Sequence, residues 1–506
     1  MKLIKALFSR TMFMILAVLL EVLLIFSAFR WFNENVAWIE AVLRLFSIIF
    51  ILFIIKNSRH LSSDMLWIVM ISLFPVPGMA LFLLLGAGMV FGRTYRSLTA
   101  RTAAQRSHLP QDPDVLQEMK ESCPFLAGQF RYISESAGFP FYRNESVSYY
   151  PLGDTGFPVI LEELKKAQEF IFLEYFIIEE GEMWNSMLAI LEEKAAQGLD
   201  VRVMYDDFGS FMTLSWNYAK KLESKGIRCV PFNRVNPLIG AITNHRDHRK
   251  ILVIDGKTAF SGGVNLADEY INHIEKHGHW KDNIIKVTGE AVWSYTVMFL
   301  THWNALCPTD ESFETFQRHS KTDHTDGYIA PYGDTPLDDE ITAQYIYMSM
   351  INQANDYCYI FTPYLIIDTE MINALILAAK RGVDVRIVTP GIPDKKLVFS
   401  ITRSYYRQLI EGGVKIYEYT PGFVHSKVFL CDDETAAVGT INLDYRSLYL
   451  HFENSTFLYK CSAIQDIRKD FEDTFPKCHQ VALSEAQNGF FREMWLAVLR
   501  LFAPMM

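Results

Sequence analysis

Asn244-His-Arg-Asp-His-Arg-Lys-Ile-Leu-Val-Ile-Asp-Gly256, followed closely by Ser261-Gly-Gly-Val-Asn265, decides how this chain is read. Its core is His248-x-Lys250-x4-Asp255. The same spacing returns 177 residues later as His425-x-Lys427-x4-Asp432, with Gly439, Thr440 and Asn442 behind it. In each copy the apolar residues between Lys and Asp mark a strand. Residues two apart in an extended chain share a face, so each His-Lys pair can point into one cleft.

These residue types suit phosphoryl transfer. An imidazole is nucleophilic near neutral pH and can form a covalent intermediate, while a second imidazole donates a proton and later retrieves it. Two lysines supply positive charge where a pentavalent phosphorus gathers negative oxygen, and Asn265 and Asn442 add fixed donors. One site needs both histidines, so the two copies must meet. The nearest arrangement to a metal cluster is His245, Asp247 and His248. A lysine two residues from the supposed ligand would repel a cation, so neither a metal nor another cofactor is expected.

The duplication extends beyond these cores. Residues 169–178 read as a buried strand, 184–197 as an amphipathic helix and 198–205 as a second strand; 356–367, 370–381 and 382–389 repeat that order. Gly-x-Asp-Val-Arg stands at the helix-to-strand turn in both. Alternating strands and helices imply βαβ units, a mostly parallel sheet covered on both faces, and a pseudo-two-fold pair of α/β/α domains.

The front of the chain is apolar. Residues 11–29 follow Lys2, Lys5 and Arg10 and read as a retained anchor carrying Glu21; 36–55 form a second run close to the length of a membrane span. A third run, 65–91, is broken by Pro75-Val-Pro77-Gly78 and reads as a helical hairpin that dips in and returns, or as a kinked span. The basic clusters at 2–10, at Lys56, Arg59 and His60, and at Arg93, Arg96, Arg101 and Arg106 all lie in the cytoplasm only if the third run is re-entrant. This predicts a multi-pass cell-membrane protein with its large C-terminal part cytoplasmic. Three ordinary spans would place that part outside. Seven scattered cysteines without a Cys-x-x-Cys pair fit a reducing compartment.

These features divide the chain into two transmembrane helices (1–62), a membrane-associated hairpin or third span with a basic linker (63–110), and a first half (111–310, motif 243–270). A linker (311–328), a second half (329–482, motif 420–447) and a C-terminal amphipathic helix (483–506) follow. That last helix either lies on the membrane or packs against the body. A net charge of -10 disfavours a nucleic-acid partner. Oligomeric state is not set by the sequence.

With its duplicated His-x-Lys-x4-Asp, Ser261-Gly-Gly-Val-Asn265, Gly422-Phe-Val-His-Ser-Lys427, Gly439-Thr-Ile-Asn-Leu-Asp-Tyr-Arg-Ser447 and Phe452-Glu-Asn454, the sequence resembles the phospholipase D superfamily, and within it the bacterial cardiolipin synthases. The stretch from Trp67 to Gly92 is similar to their membrane-associated N-terminal element; the first apolar run makes the membrane part longer than a two-span anchor. The resemblance implies that two phosphatidylglycerols give cardiolipin and glycerol through a phosphatidyl-histidine. His248 would attack phosphorus and His425 would act as acid and then base. Lys250, Lys427, Asn265 and Asn442 would hold the phosphate. Asp255 and Asp432 would be supports rather than proton carriers, and Asp282 and Glu453 would steady the imidazoles. The partners implied are membrane phospholipids and the bilayer. A phospholipase D hydrolase, a transferase using another alcohol, a nuclease and a membrane scaffold with a relic site are the competing readings.

Overall fold

The computed structural model describes Leu23, Ser27 and residues 37–58, 61–83, 93–234, 245–308, 312–319 and 326–503. Apart from Leu23 and Ser27, the first apolar run with Glu21 lies outside the described residues. So do Lys2, Lys5, Arg10, Arg59, His60, Asn244, the end of the third run and, in the 311–328 linker, residues 311 and 320–325.

The body holds two large sheets built to one plan. The first has seven strands in the spatial order Ser146–Tyr150, Ile284–Thr288, Thr258–Gly262, Ile251–Ile254, Phe170–Tyr175, Asp200–Asp206 and Arg228–Phe232. The second repeats the order with Tyr328–Asp334, Glu453–Tyr459, Thr435–Gly439, Val428–Cys431, Tyr357–Phe361, Asp384–Pro390 and Lys415–Tyr419; Tyr142–Arg143 and Cys478–Gln480 are added at its edges. The fold is thus α/β with a pseudo-two-fold repeat.

The expectation of mostly parallel sheets is corrected. Only the last three strands of each seven-strand repeat are parallel, and they carry the expected helical crossovers Glu182–Ala196 and Thr369–Lys380. The His-Lys-Asp strands are antiparallel to both neighbours. The reason lies in the motif's own end. Asp255 and Gly256 have φ of 53° and 64°, Asp432 and Asp433 have 54° and 55°, and these tight turns send the chain straight back. Asp tolerates this left-handed conformation better than most residues.

Each turn aspartate is also an anchor. The Asp255 carboxylate accepts from the backbone N–H groups of Gln168, Glu169 and Phe170 at 2.9, 2.8 and 3.0 Å. Asp432 accepts from Asn355, Asp356 and Tyr357 at 2.7, 3.0 and 2.8 Å. Each thereby caps the start of the neighbouring strand.

Helix Val292–Leu306 packs against strands of both sheets and is buried along almost its whole length. Phe299 stacks on Phe172 of the first sheet at 4.7 Å. The segment before the first sheet packs on the second: Phe130 lies 4.9 Å from Tyr459, and Tyr142 pairs with Ile329.

At the front, helices Ala37–Asn57, Leu61–Leu73 and Pro75–Leu81 form a small apolar cluster around Ile54, Trp67, Ile71 and Phe82. A Cβ on Gly78 would meet Ile71 Cα at 2.7 Å. Seven residues of continuous helix would separate these positions by about 10 Å, so the chain folds back at the Pro75 break. Among the described residues, no helix is long and apolar enough to cross a membrane. The C-terminal helix Phe490–Leu501 buries Leu496 and Leu499 beside helix Lys396–Glu411, and Glu493 pairs with Arg407 at 2.8 Å. Phe490, Phe491, Met494, Trp495 and Val498 stay exposed, so it packs on the body and still presents an apolar face.

Losing three charge-assisted bonds to buried backbone, Asp255→Ala is expected to cost about 3 kcal/mol. A thermal melt should show a clearly lowered Tm; an unchanged Tm with abolished turnover would instead give Asp255 a chemical role.

Candidate active site

Each histidine is positioned by the half of the molecule it does not belong to. The segment entering His248 runs beside the segment entering Glu453: Phe452 N donates to Arg246 O, and His248 N to Phe452 O, both at 2.9 Å. In the mirror arrangement, Gly422–Val424 pairs in parallel with His279–Lys281, and His425 N donates to Lys281 O at 2.7 Å. The acidic residue that follows each pairing then meets the opposite imidazole. His248 Nδ1 lies 2.9 Å from both Glu453 oxygens, and His425 Nδ1 lies 2.6 Å from Asp282 Oδ2.

The two spacings to these acids differ because a short turn (Asp268–Ile271) and strand His279–Lys281 are inserted between Asn265 and Asp282. The second half has a two-residue strand, Leu443–Asp444, and helix Tyr445–Tyr449 at that point. Local fits differ accordingly. A Cβ on Gly263 would strike Asp282 Oδ1 at 2.0 Å, whereas the matching Thr440 donates its hydroxyl to Glu453.

Lys250 and Lys427 are 1% exposed and their ammonium groups reach back to the carbonyls of His248 and His425. The imidazoles and both lysines lie within electrostatic reach of one another. Phe176 at 5.0 Å flanks His248; Tyr270 at 5.3 Å, Trp280 at 5.7 Å and Phe423 at 6.0 Å flank His425. Such walls limit water around the reacting groups.

Burial governs the protonation states. It holds His248 well below the ordinary imidazole value, helped by the Lys250 charge, and pushes His425 down to about 4, helped by Lys427. It lowers Lys250 to about 8 and Lys427 to about 7, and lifts the Glu453 carboxyl to about 8. Glu453 and His248 are both driven toward their neutral forms. With Nδ1 committed to a carboxyl group, each ring has Nε2 left for chemistry.

The remaining sequence candidates are placed differently. Asp255 and Asp432 stand at the far ends of their strands; the five residues from Lys250 to Asp255 correspond to about 16 Å. Asn265 is fully committed inside the first half, accepting from Ile177 N at 3.1 Å and donating to the Tyr270 hydroxyl at 2.8 Å. Asn442 is 6% exposed, and its Oδ1 accepts no hydrogen bond among the described residues.

Two residues escaped the sequence reading. Asn454 ties the halves together, accepting from Lys250 N at 3.2 Å and donating to Ser261 Oγ at 2.8 Å. The repeated acid-Asn pairs Asp282-Asn283 and Glu453-Asn454 were a signal for it. His451 lies 6.0 Å from His248, ring to ring.

Asp247, Glu174 and His302 bring three possible metal-ligand atoms within 4.8 Å of one another. The Arg249 guanidinium already pairs with Glu174 and lies 3.4 Å from Asp247, so a fixed cation serves these carboxylates. His245 faces the Leu450 carbonyl at 3.0 Å instead.

Comparison with known proteins gives this geometry a family. Residues 160–303 and 347–475 match the family described as cardiolipin synthase, phospholipase D-like domain. A Streptococcus mutans protein named only as uncharacterized is 45% identical, over 90% of this chain and 99% of its own. A cardiolipin synthase of Halalkalibacterium halodurans is 33% identical, over 92% and 93%. Phosphatidylserine synthase of Haemophilus influenzae shares the fold, with a TM-score of 0.59 at 14% identity, covering 74% of this chain and 99% of that one. The chain belongs to the phospholipase D superfamily, in its family of cardiolipin synthase-type, phospholipase D-like domains.

Proposed function

We propose that this phosphatidyltransferase of the phospholipase D superfamily is a cardiolipin synthase. The observation that carries the reading is the crossed pairing, His248 with Glu453 and His425 with Asp282, around two buried lysines. It supplies two imidazoles with matched orientation for one phosphorus. The cardiolipin synthases similar along nearly the whole chain support a lipid substrate.

In this reading His248 Nε2 attacks the phosphorus of one phosphatidylglycerol, and the P–O bond to the headgroup glycerol breaks. His425, protonated with Asp282 on its Nδ1, gives its proton to the departing oxygen. It then takes the proton of a second phosphatidylglycerol's hydroxyl. That oxygen attacks phosphorus, the P–N bond breaks, and cardiolipin leaves with both rings restored. Lys250, Lys427 and Asn442 face the phosphate, while Asn265 acts through the loop it holds. Asp255 and Asp432 support the strands.

We also place the protein at the cell membrane, multi-pass, with residues 111–482 cytoplasmic as two halves joined near 311–328. Supporting this are the apolar runs, the fold-back at Gly78, and outward-facing Leu45, Phe46, Ile49, Leu52 and Phe53 on the first described helix. The exposed apolar face of Phe490–Leu501 would rest on the same membrane.

Purified protein given phosphatidylglycerol alone should form cardiolipin and free glycerol, and a chelator should leave this unaffected. His248→Ala should lower the rate by about 10⁴ or more. Phosphatidic acid as the sole product would make the enzyme a hydrolase.

The pH profile has a determined sign. Lys427 and Lys250 are charged below about 7 and 8, so the affinity for an anionic phosphate should weaken above those values rather than near the ordinary lysine value. The alkaline fall of kcat/KM is expected between pH 7 and 8; a profile flat to about 10 would contradict it.

A further inference from the structure

Lys281, the residue just before Asp282, buries its side chain where the two halves meet and is 3% exposed. Its ammonium group donates to Asp470 Oδ1 at 2.6 Å and to Pro151 O at 3.4 Å, and lies 4.8 Å from the centre of the Phe361 ring. Asp470 is 7% exposed and stands on helix Ala463–Thr474 of the second half, where its neighbour Phe471 stacks on Phe361 at 3.8 Å. The other carboxylate oxygen accepts at 2.7 Å from the hydroxyl of Tyr149, in strand Ser146–Tyr150 of the first sheet. A second-half carboxylate is thus held by two first-half donors.

The backbone of Lys281 is where His425 docks. Its carbonyl accepts from His425 N, and Asp282 Oδ2 then meets His425 Nδ1 at 2.6 Å. The pairing that delivers them is only three residues long, Gly422–Val424 against His279–Lys281. So short a pairing specifies its register weakly, and a slip by one residue turns each side chain to the other face. The ion pair removes that freedom, because a slipped strand would leave two buried charges apart. The opposite half meets the same need differently. Phe452, the residue before Glu453, is 1% exposed and lies against the rings of Phe232 at 5.6 Å and His302 at 4.6 Å. His302 stands on helix Val292–Leu306, which follows strand Ile284–Thr288 as Ala463–Thr474 follows Glu453–Tyr459. The residue ahead of each imidazole-bound acid is therefore gripped by a helix of the other half, through rings at Glu453 and through charge at Asp282.

We propose that Lys281 and Asp470 are a positioning pair for the acid–base histidine. By fixing the register of His279–Lys281 against Gly422–Val424 they hold Asp282 on His425, and so set the rate at which His425 gives its proton to the departing oxygen. This rests on the assignment of that proton transfer to His425 in the function proposed above. Neither side chain of the pair touches the substrate. A general acid displaced by about 1 Å loses about 100-fold in rate, and only for leaving groups that need its proton.

The test compares two donors, phosphatidylglycerol and phosphatidyl-p-nitrophenol, on full-length protein in detergent micelles, by the rate of leaving-group release in a single turnover. The glycerol oxygen needs a proton to depart, whereas p-nitrophenolate leaves without one. Lys281→Met should slow glycerol release by about 100-fold and p-nitrophenolate release by less than about threefold. Lys281→Arg, which keeps the charge and the reach, should return glycerol release to within about threefold of wild type. Lys281→Met combined with Asp470→Asn leaves neither charge buried alone; it should show the same selective loss, and it decides the matter where Lys281→Met by itself fails to fold. An equal loss on both donors, or wild-type rates on both in the double variant, overturns the positioning role.

A wild-type enzyme that releases p-nitrophenolate but no glycerol would refute the synthase reading instead. The pair is then read with phosphatidyl-phenol, whose leaving group is poorer, in place of phosphatidylglycerol. Lys281→Met should slow phenol release about tenfold more than p-nitrophenolate release, and an equal slowing of the two overturns the proposal.

Discussion

The bond between each imidazole and the other half's carboxyl group is the constraint on which the rest depends. Neither half can orient its own histidine. His248 needs Glu453, His425 needs Asp282, and the backbone pairings that deliver them are themselves made across the interface. Asn454 adds a third crossing through Lys250 and Ser261. The two sheets therefore have to repeat one strand order, and helix Val292–Leu306 is buried nearly all round, because it packs against strands of both.

Burial sets the chemistry of what those bonds hold. Two lysines, two imidazoles and two acids sit almost without solvent, and the lysines, the imidazoles and Glu453 are each displaced toward the neutral form as far as their neighbours allow. An arriving phosphate reverses that balance: it restores charge to the lysines and favours a proton on one imidazole. Phosphate binding and the assembly of acid and nucleophile are then one electrostatic event, which suits a site working by fixed charge and two nitrogen atoms. Phe176 borders His248, and Trp280 and Phe423 border His425, so aromatic rings flank both imidazoles.

Much of this was legible in the sequence, and the exceptions have physical causes. The doubled His-Lys-Asp spacing pointed to one shared site through its residue types and its repetition, although His248 and Lys250 stand just ahead of strand Ile251–Ile254, and His425 and Lys427 just ahead of Val428–Cys431. Strand direction was misread, because the repeated strand-helix order suggested parallel sheets while the reversal is made at a two-residue turn. Asp255-Gly256 was a visible turn signal, and its carboxylate proved to be occupied by three backbone N–H groups far from the histidines. Asp282 and Glu453 were named as imidazole partners, but their crossing between halves has no local signature. His451 was invisible for the same reason: only tertiary pairing brings it beside His248.

The central claim is that two halves make one site for one phosphorus. The direct measurement is the amount of acid-labile phosphatidyl-enzyme trapped by rapid quench after mixing the protein with phosphatidylglycerol labelled in its phosphatidyl group. The account predicts at most one phosphatidyl group per chain, carried on a single histidine. Two groups per chain, one on His248 and one on His425, would mean that each half works alone.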